Sequence, residues 1–141
     1  SDLIVGHPRE TPEDFQCSLS ALEEFRFDLV HTAAYSPREG TAAAAWEEQV
    51  PREIKMARLN EVNRLQSKIA LEINSGLVGR TCPVLLDDFA PRGEGLLQGR
   101  TPSDKVVLVE AGEEMLGRMV SVLITGAENW CLSGRILGTA E

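Results

Sequence analysis

The second half of the chain constrains the fold most, because short apolar runs alternate there with turn residues. After Gly79, five runs of β-forming residues occur within about 60 residues. This spacing is typical of small all-β domains, whose strand edges are covered when the sheet closes. We therefore predict a five-stranded barrel of the oligonucleotide-binding (OB) kind over residues 77–139. Its strands are predicted at Thr81–Leu86, Gly95–Gly99, Lys105–Val109, Arg118–Thr125 and Trp130–Leu137.

The first 50 residues have a different pattern, in which a strand, a helix and a second strand follow one another. Leu3–Val5 is an apolar run that ends at Gly6, as a buried parallel strand would. Thr11 is a good N-cap, and the helix should stop near Arg26. Leu29–Ala34 is predicted as the second strand, so this part forms a βαβ unit. The apolar stripe of the helix is predicted to comprise Phe15, Leu19, Leu22 and Phe25.

A long helix is predicted between these two parts. Pro51 suits its beginning, and Gly76 supplies its C-terminal stop. The sequence thus predicts three segments: an α/β segment at 1–50, a connecting helix at 51–76 and the barrel at 77–139. One side of this helix should be apolar and buried, through Ile54, Ala57, Val62, Leu65, Ile69 and Ile73.

Charge and hydropathy exclude some classes of function. The net charge of -8 disfavours broad binding to phosphate backbones, so any contact with RNA must rest on a local basic patch. No apolar run is long enough for a membrane span, and the first residues lack the basic flank of a secretion signal. We therefore expect a cytoplasmic protein with no membrane partner.

The cysteines and histidines do not form a metal motif. Cys17, Cys82 and Cys131 are tens of residues apart, which is unlike a zinc or iron–sulfur signature and unlike a disulfide framework. His7 and His31 have no further ligand residues at a suitable spacing. We predict three reduced thiols, no metal site and no catalytic residue in this chain.

Two loops follow the predicted parallel strands at the edge where α/β folds bind ligands. In the first, Gly6 permits close backbone approach. The second begins with Tyr35 and Ser36, and a nucleoside could stack on this aromatic ring. Ordinary alternatives are a strand-to-helix turn capped by Thr11 and a solvated surface loop.

Three motifs together resemble a known enzyme family. They are Ile4-Val5-Gly6-His7-Pro8-Arg9-Glu10-Thr11, Tyr35-Ser36-Pro37-Arg38-Glu39-Gly40-Thr41, and Gly99-Arg100-Thr101 followed by Lys105-Val106-Val107. In this order they resemble the radical S-adenosylmethionine (SAM) methylthiotransferases, and the resemblance covers residues 2–138. It implies an α/β plus all-β chain: the end of a TIM-like radical SAM barrel, a long connecting helix and a five-stranded OB-like TRAM barrel.

The resemblance also implies a function. The parent enzyme would add a methylthio group to isopentenylated adenosine beside the anticodon of tRNA, with two 4Fe–4S clusters and SAM as cofactors. More of the barrel is then expected before Ser1. The cluster-binding cysteine triplet is absent, so this chain alone should hold no cofactor, should be inactive and should mainly bind tRNA rather than DNA. The alternatives are a relative acting on another adenosine derivative or on a ribosomal protein, and a non-catalytic TRAM module for RNA binding or other interactions.

Two sets of site residues follow from these considerations. By the resemblance, the edge of the SAM pocket would comprise Gly6, Glu10, Tyr35 and Ser36. The RNA-binding candidates are nearly all the positive charge of the predicted barrel, although each could be a solvated surface charge. They are Arg80, Arg92, Arg100, Lys105, Arg118 and Arg135. Trp130 and Phe89 could stack on RNA bases, but aromatic residues of small barrels are more often in the core.

Overall fold

The structure is a computed structural model that describes residues 1–91 and 95–139. The chain divides into two compact units, Ser1–Ala70 and Leu71–Glu141. Among the described residues, no helix has both the length and the apolar character that a membrane span needs.

The first unit contains a two-stranded parallel sheet. Strand β1 (Asp2–Val5) pairs with β2 (His31–Ala34), with Asp2 opposite His31. Helix α1 (Pro12–Phe25) joins the two strands, which confirms the predicted βαβ order. The second strand begins two residues later than predicted, because β1 offers only four residues with which to pair.

Helix α1 begins and ends where its capping residues predict. The Thr11 hydroxyl accepts from the Asp14 N–H at 3.1 Å, and the Asp14 carboxylate accepts from the Thr11 N–H at 3.0 Å. This capping box satisfies two amide donors that would otherwise lack partners. Phe15, Leu19 and Leu22 are buried as predicted. Phe25 is 65% exposed, so its assignment to the buried stripe is wrong: its ring, on the last helical residue, lies beside that of Phe27 at 5.7 Å.

The buried side of helix α2 (Arg52–Ser75) is partly polar. Ile54 and Ala57, predicted to be buried, are exposed, and Lys55 and Arg58 are buried instead. The reason is that these long side chains find oxygen partners, which removes the penalty for burying them. The buried positions of the helix are Lys55, Arg58, Val62, Gln66, Ile69, Ala70 and Asn74.

The second unit is a closed five-stranded barrel, which confirms the predicted fold of this part. Its strands run in the order β3-β4-β5-β7-β6, and β6 pairs with β3 to close it. All neighbours are antiparallel except β5 and β7, which are parallel. The strand bounds are β3 (Thr81–Phe89), β4 (Leu96–Arg100), β5 (Val106–Glu110), β6 (Met119–Ala127) and β7 (Leu132–Thr139).

The core of the barrel is built from alternate residues of these strands. In β6, Val120, Val122 and Ile124 are at most 1% exposed, whereas Ser121 and Leu123 between them are half-buried. Branched side chains from the other strands fill the remaining volume, as the two-residue period of a strand requires. The other core residues are Val84, Leu86, Leu97, Val107, Val109 and Leu132.

Candidate nucleic-acid interface

Arg100 lies at the end of β4, before the turn that leads into β5, and its charge is already paired. Its guanidinium lies 2.7 Å from the Asp104 carboxylate and 3.5 Å from that of Asp87. The hydrogen bond and charge of Asp104 raise the pKa of Arg100, with a smaller contribution from Asp87. The charge of Arg100 is therefore largely neutralised by these two carboxylates, which weakens its attraction for a phosphate. The sequence analysis missed this ion pair, although the four-residue spacing of Arg100 and Asp104 could have indicated it.

Lys105, at the other side of this turn, is half-buried, which contradicts the alternative that it is a solvated surface charge. Its ammonium group donates to the Asn74 side-chain oxygen at 2.9 Å. The Asn74 amide in turn donates to the Glu128 carbonyl at 2.7 Å. Lys105 thus belongs to a polar network inside the second unit, and this network holds two turns of the barrel to the last turn of α2.

Three other candidates are better placed for binding an anion. Arg80, Arg118 and Arg135 are exposed, and none of them forms an ion pair with another described residue. Arg92 lies outside the described residues. Among the described residues, the predicted basic set thus divides into Arg100 and Lys105, which flank the turn at 101–104 and have polar partners, and three exposed arginines that form no ion pair.

Two of the unpaired arginines lie on either side of β6. The Arg80 carbonyl accepts from the Ile124 N–H at 2.9 Å, and Arg135 of β7 pairs with Leu123, the next residue of β6. Two strand spacings separate the flanking chains, which places the two backbones about 10 Å apart. Thr125 is also exposed at this position, and its hydroxyl donates to the Ser133 carbonyl at 3.3 Å. We call Arg80, Thr125 and Arg135, together with Trp130 of the β6–β7 turn, the β6 surface.

The exposed aromatic residues are a second departure from expectation. Trp130 is 69% exposed and Phe89 is 48% exposed, so the core interpretation is wrong for both. A shallow cleft of about 540 Å³ lies beside the β6 surface, where Ser133, Arg135 and Glu110 contribute to its lining. Arg135, Thr125 and Glu110 thus line one cleft, and Trp130 lies in the β6–β7 turn that precedes Arg135 in the chain.

In the first unit, Gly6 and Glu10 form a buried cluster rather than an open site. The Glu10 carboxylate accepts from the Gly6 N–H at 2.6 Å and forms an ion pair with Arg58 of α2. Gly6 has φ +72°, and a Cβ there would collide with the Lys55 side chain, so glycine is needed for both reasons. Glu10 thus fixes the loop after β1, a role that only the buried position of Arg58 reveals.

Tyr35 and Ser36 lie together on an open cleft at the ends of the two parallel strands. This cleft has a volume of about 500 Å³, and Arg38 and Thr41 also line it. The Lys55 ammonium donates to the Tyr35 carbonyl at 3.2 Å and lies 5.0 Å from the centre of its ring. The buried Tyr35 hydroxyl has no hydrogen-bond partner among the described residues. The predicted SAM-edge residues are therefore split between this cleft and the Glu10 cluster.

The histidines and cysteines take ordinary positions. The His7 ring lies 5.1 Å from that of Tyr35 and 5.7 Å from that of Trp46. Cys17 is exposed on α1, whereas burial raises the pKa of Cys82 and Cys131 in the second unit. Within residues 1–91 and 95–139, no group of three His, Cys, Asp or Glu residues is arranged to hold a metal ion.

Comparison with known proteins assigns the barrel to a family. Residues 77–137 match the family described as TRAM domain. The match includes all five strands of the barrel up to Leu137 of β7. The predicted TRAM barrel is thereby confirmed.

Curated relatives extend the similarity to nearly the whole chain. A tRNA-2-methylthio-N(6)-dimethylallyladenosine synthase of Acetivibrio thermocellus is 40% identical over 137 residues, which are 97% of this chain and 28% of the relative. The enzyme of the same name from Syntrophomonas wolfei is 43% identical over 96% of this chain and 31% of the relative. That of Bacillus cereus strain AH187 is 39% identical over 97% of this chain and 27% of the relative. The chain thus spans about three tenths of the length of these relatives.

Proposed function

Since residues 77–137 match the TRAM domain family and fold into a closed barrel, we propose that this barrel binds tRNA as part of a tRNA methylthiotransferase. The names of the relatives support the methylthiotransferase part of the proposal. The observation that carries the RNA-binding part is the set of exposed arginines of the barrel that form no ion pair with another described residue, Arg80 and Arg135 among them, whose backbones flank β6. In a chain of net charge -8, binding to phosphates has to rest on such local positive charges.

The modified nucleoside in this proposal is the dimethylallyl adenosine after which the relatives are named. In this proposal the chain contributes tRNA binding, and its described residues include no group of three His, Cys, Asp or Glu side chains arranged to hold a metal ion. Cys17 is exposed on α1, while Cys82 and Cys131 are in the barrel unit. A 4Fe–4S cluster needs several cysteine thiolates converging on one point.

The Tyr35 cleft fits the edge of a pocket for SAM, which would supply the transferred methyl group when bound. The buried Tyr35 hydroxyl without a partner suits a polar group of a nucleoside, and the ring offers a stacking face. Ser36 lines the same cleft. Gly6 and Glu10 act as positioning residues in this proposal, because they fix the loop after β1.

Binding of an anticodon stem-loop RNA at several salt concentrations tests the proposed function. Replacing Arg80 and Arg135 together by alanine should weaken binding and flatten the salt dependence by about 1.4 to 1.8 units of slope, since each phosphate contact contributes about 0.7 to 0.9. The double variant R52A/R64A is the matched control, because it removes two exposed arginines of α2 and makes the same change in net charge. Equal affinity and slope in both double variants would show that the β6 surface does not bind RNA.

A further inference from the structure

The two tryptophans of the chain have opposite surroundings. Trp46 is half-buried, with the Arg9 guanidinium 4.4 Å from its ring centre and the His7 ring at 5.7 Å. Trp130 is 69% exposed and contacts no other aromatic ring or cation among the described residues. Its apolar ring therefore remains available for a partner.

The turn that carries Trp130 is held in place at several points. The Glu128 N–H donates to the Cys131 carbonyl at 2.8 Å and closes the turn. The Glu128 carbonyl accepts from Asn74, which also accepts from Lys105. A ring presented on a fixed turn loses little conformational freedom when it binds, and this favours affinity.

One cationic group follows this ring in the next strand. Arg135 of β7 is five residues after Trp130 of the β6–β7 turn, and a fully extended chain of that length would be about 16 Å, which is the upper limit of their backbone separation. At about 3.4 Å per stacked nucleotide, that limit corresponds to at most about five nucleotides, within the range of one OB fold. The Glu128 carboxylate is in the same turn as Trp130, and its negative charge would repel a phosphate.

We infer that Trp130 stacks on an unpaired base of the bound RNA, while Arg135 contacts a phosphate beside that base. This inference rests on the proposed function and adds the residue that recognises single-stranded nucleotides. Stacking on an aromatic ring tolerates any base, because every base has a π-face. The β6 surface would thus select unpaired RNA over duplex without reading a sequence.

The test uses the whole chain with Trp46 replaced by phenylalanine, so that Trp130 is the only tryptophan. Its fluorescence is titrated with a single-stranded eight-nucleotide RNA and with a blunt RNA duplex. The expected result is quenching by the single strand and much weaker quenching by the duplex. The W130A variant should bind the single strand about 5- to 150-fold more weakly, and W130F should retain most of the affinity. The control F89A removes another exposed aromatic residue of the barrel and should bind normally.

Each outcome decides the question. Undiminished binding of the single strand by a folded W130A variant overturns the inference and leaves the proposed RNA binding intact. Weakened binding by F89A together with normal binding by W130A would assign the stacking role to Phe89. If the parent chain binds neither the single strand nor an anticodon stem-loop, the proposed function itself fails, and the inference fails with it.

Discussion

Replacing Gly99 by alanine should destabilise the barrel through overpacking. Gly99 is in β4, opposite Leu86 of β3 and Val107 of β5. A Cβ at this position would lie 2.6 Å from the Val84 Cγ1 and closer still to the Leu85 carbonyl oxygen. Carbon atoms in contact normally lie about 3.5 to 4.0 Å apart, so the neighbours would have to move by about 1 Å. Val84 and Leu86 are fully buried, which leaves them no free volume to move into.

The expected size of this effect follows from two opposing contributions. Overpacking of a core costs about 1 to 3 kcal/mol. The lower entropy of the unfolded alanine chain offsets about 0.4 to 1 kcal/mol of that cost. The middles of these two ranges differ by about 1.3 kcal/mol, which is the expected net loss in free energy of unfolding. With a urea dependence of about 1 kcal/mol per molar for a unit of this size, the midpoint should fall by about 1.3 M.

A urea titration followed by the amide NMR signals of Val107 and Val122 measures this shift in the barrel alone. Gly138→Ala is the matched control, because no atom lies within 4 Å of a Cβ built at Gly138 of β7. This control should unfold at the same urea concentration as the parent or at a slightly higher one. The same midpoint for both variants would refute the reasoning that a close strand contact requires glycine at position 99.

Three further predictions concern other parts of the chain. Lys105→Ala should lower the free energy of unfolding of the barrel by about 1 to 3 kcal/mol in urea titrations, because it leaves the buried Asn74 oxygen without this donor. The control Arg118→Ala should unfold like the parent, and equal losses of stability in the two variants would contradict a structural role for Lys105. The capping box lowers the pKa of Asp14, chiefly through the Thr11 N–H, so the unfolded chain binds the proton more tightly and this stabilisation is lost as the pH falls below about 4. The melting temperature of Asp14→Asn should therefore fall less than that of the parent when the pH is lowered through this range. Iodoacetamide at pH 8 should modify exposed Cys17 first, because burial raises the pKa of Cys82 and Cys131. Mass spectrometry shows the order of modification, and modification of Cys82 before Cys17 would contradict this prediction.

The sequence was most informative where local chemistry decides the structure. The bounds of α1 followed from Thr11 and the residues after it, and the five strands followed from short apolar runs between turns. The buried side of α2 did not follow, because Lys55 and Arg58 are buried only by virtue of oxygen atoms that other segments supply. A helical wheel cannot show those partners.

The same limit applies to the candidate interface. The basic residues of the barrel were visible in the sequence, but their availability was not. Arg100 and Lys105 belong to the Gly99–Val107 motif, and both have polar partners within the protein. The exposure of Trp130 depends on the course of the β6–β7 turn, so the more favourable surface became evident only from the fold.

The position of β7 has a consequence for the order in which the barrel folds. This strand lies between β5 and β6, pairing in parallel with the first and antiparallel with the second. During synthesis the chain can form the β3–β4–β5 meander and add β6 beside β3, yet both outer edges of that sheet stay open until β7 has been made. Folding is slower when the contacts that complete a structure join segments that are distant in the sequence. We expect the nascent barrel to remain an open sheet, with edges able to pair with other chains, until its last strand inserts.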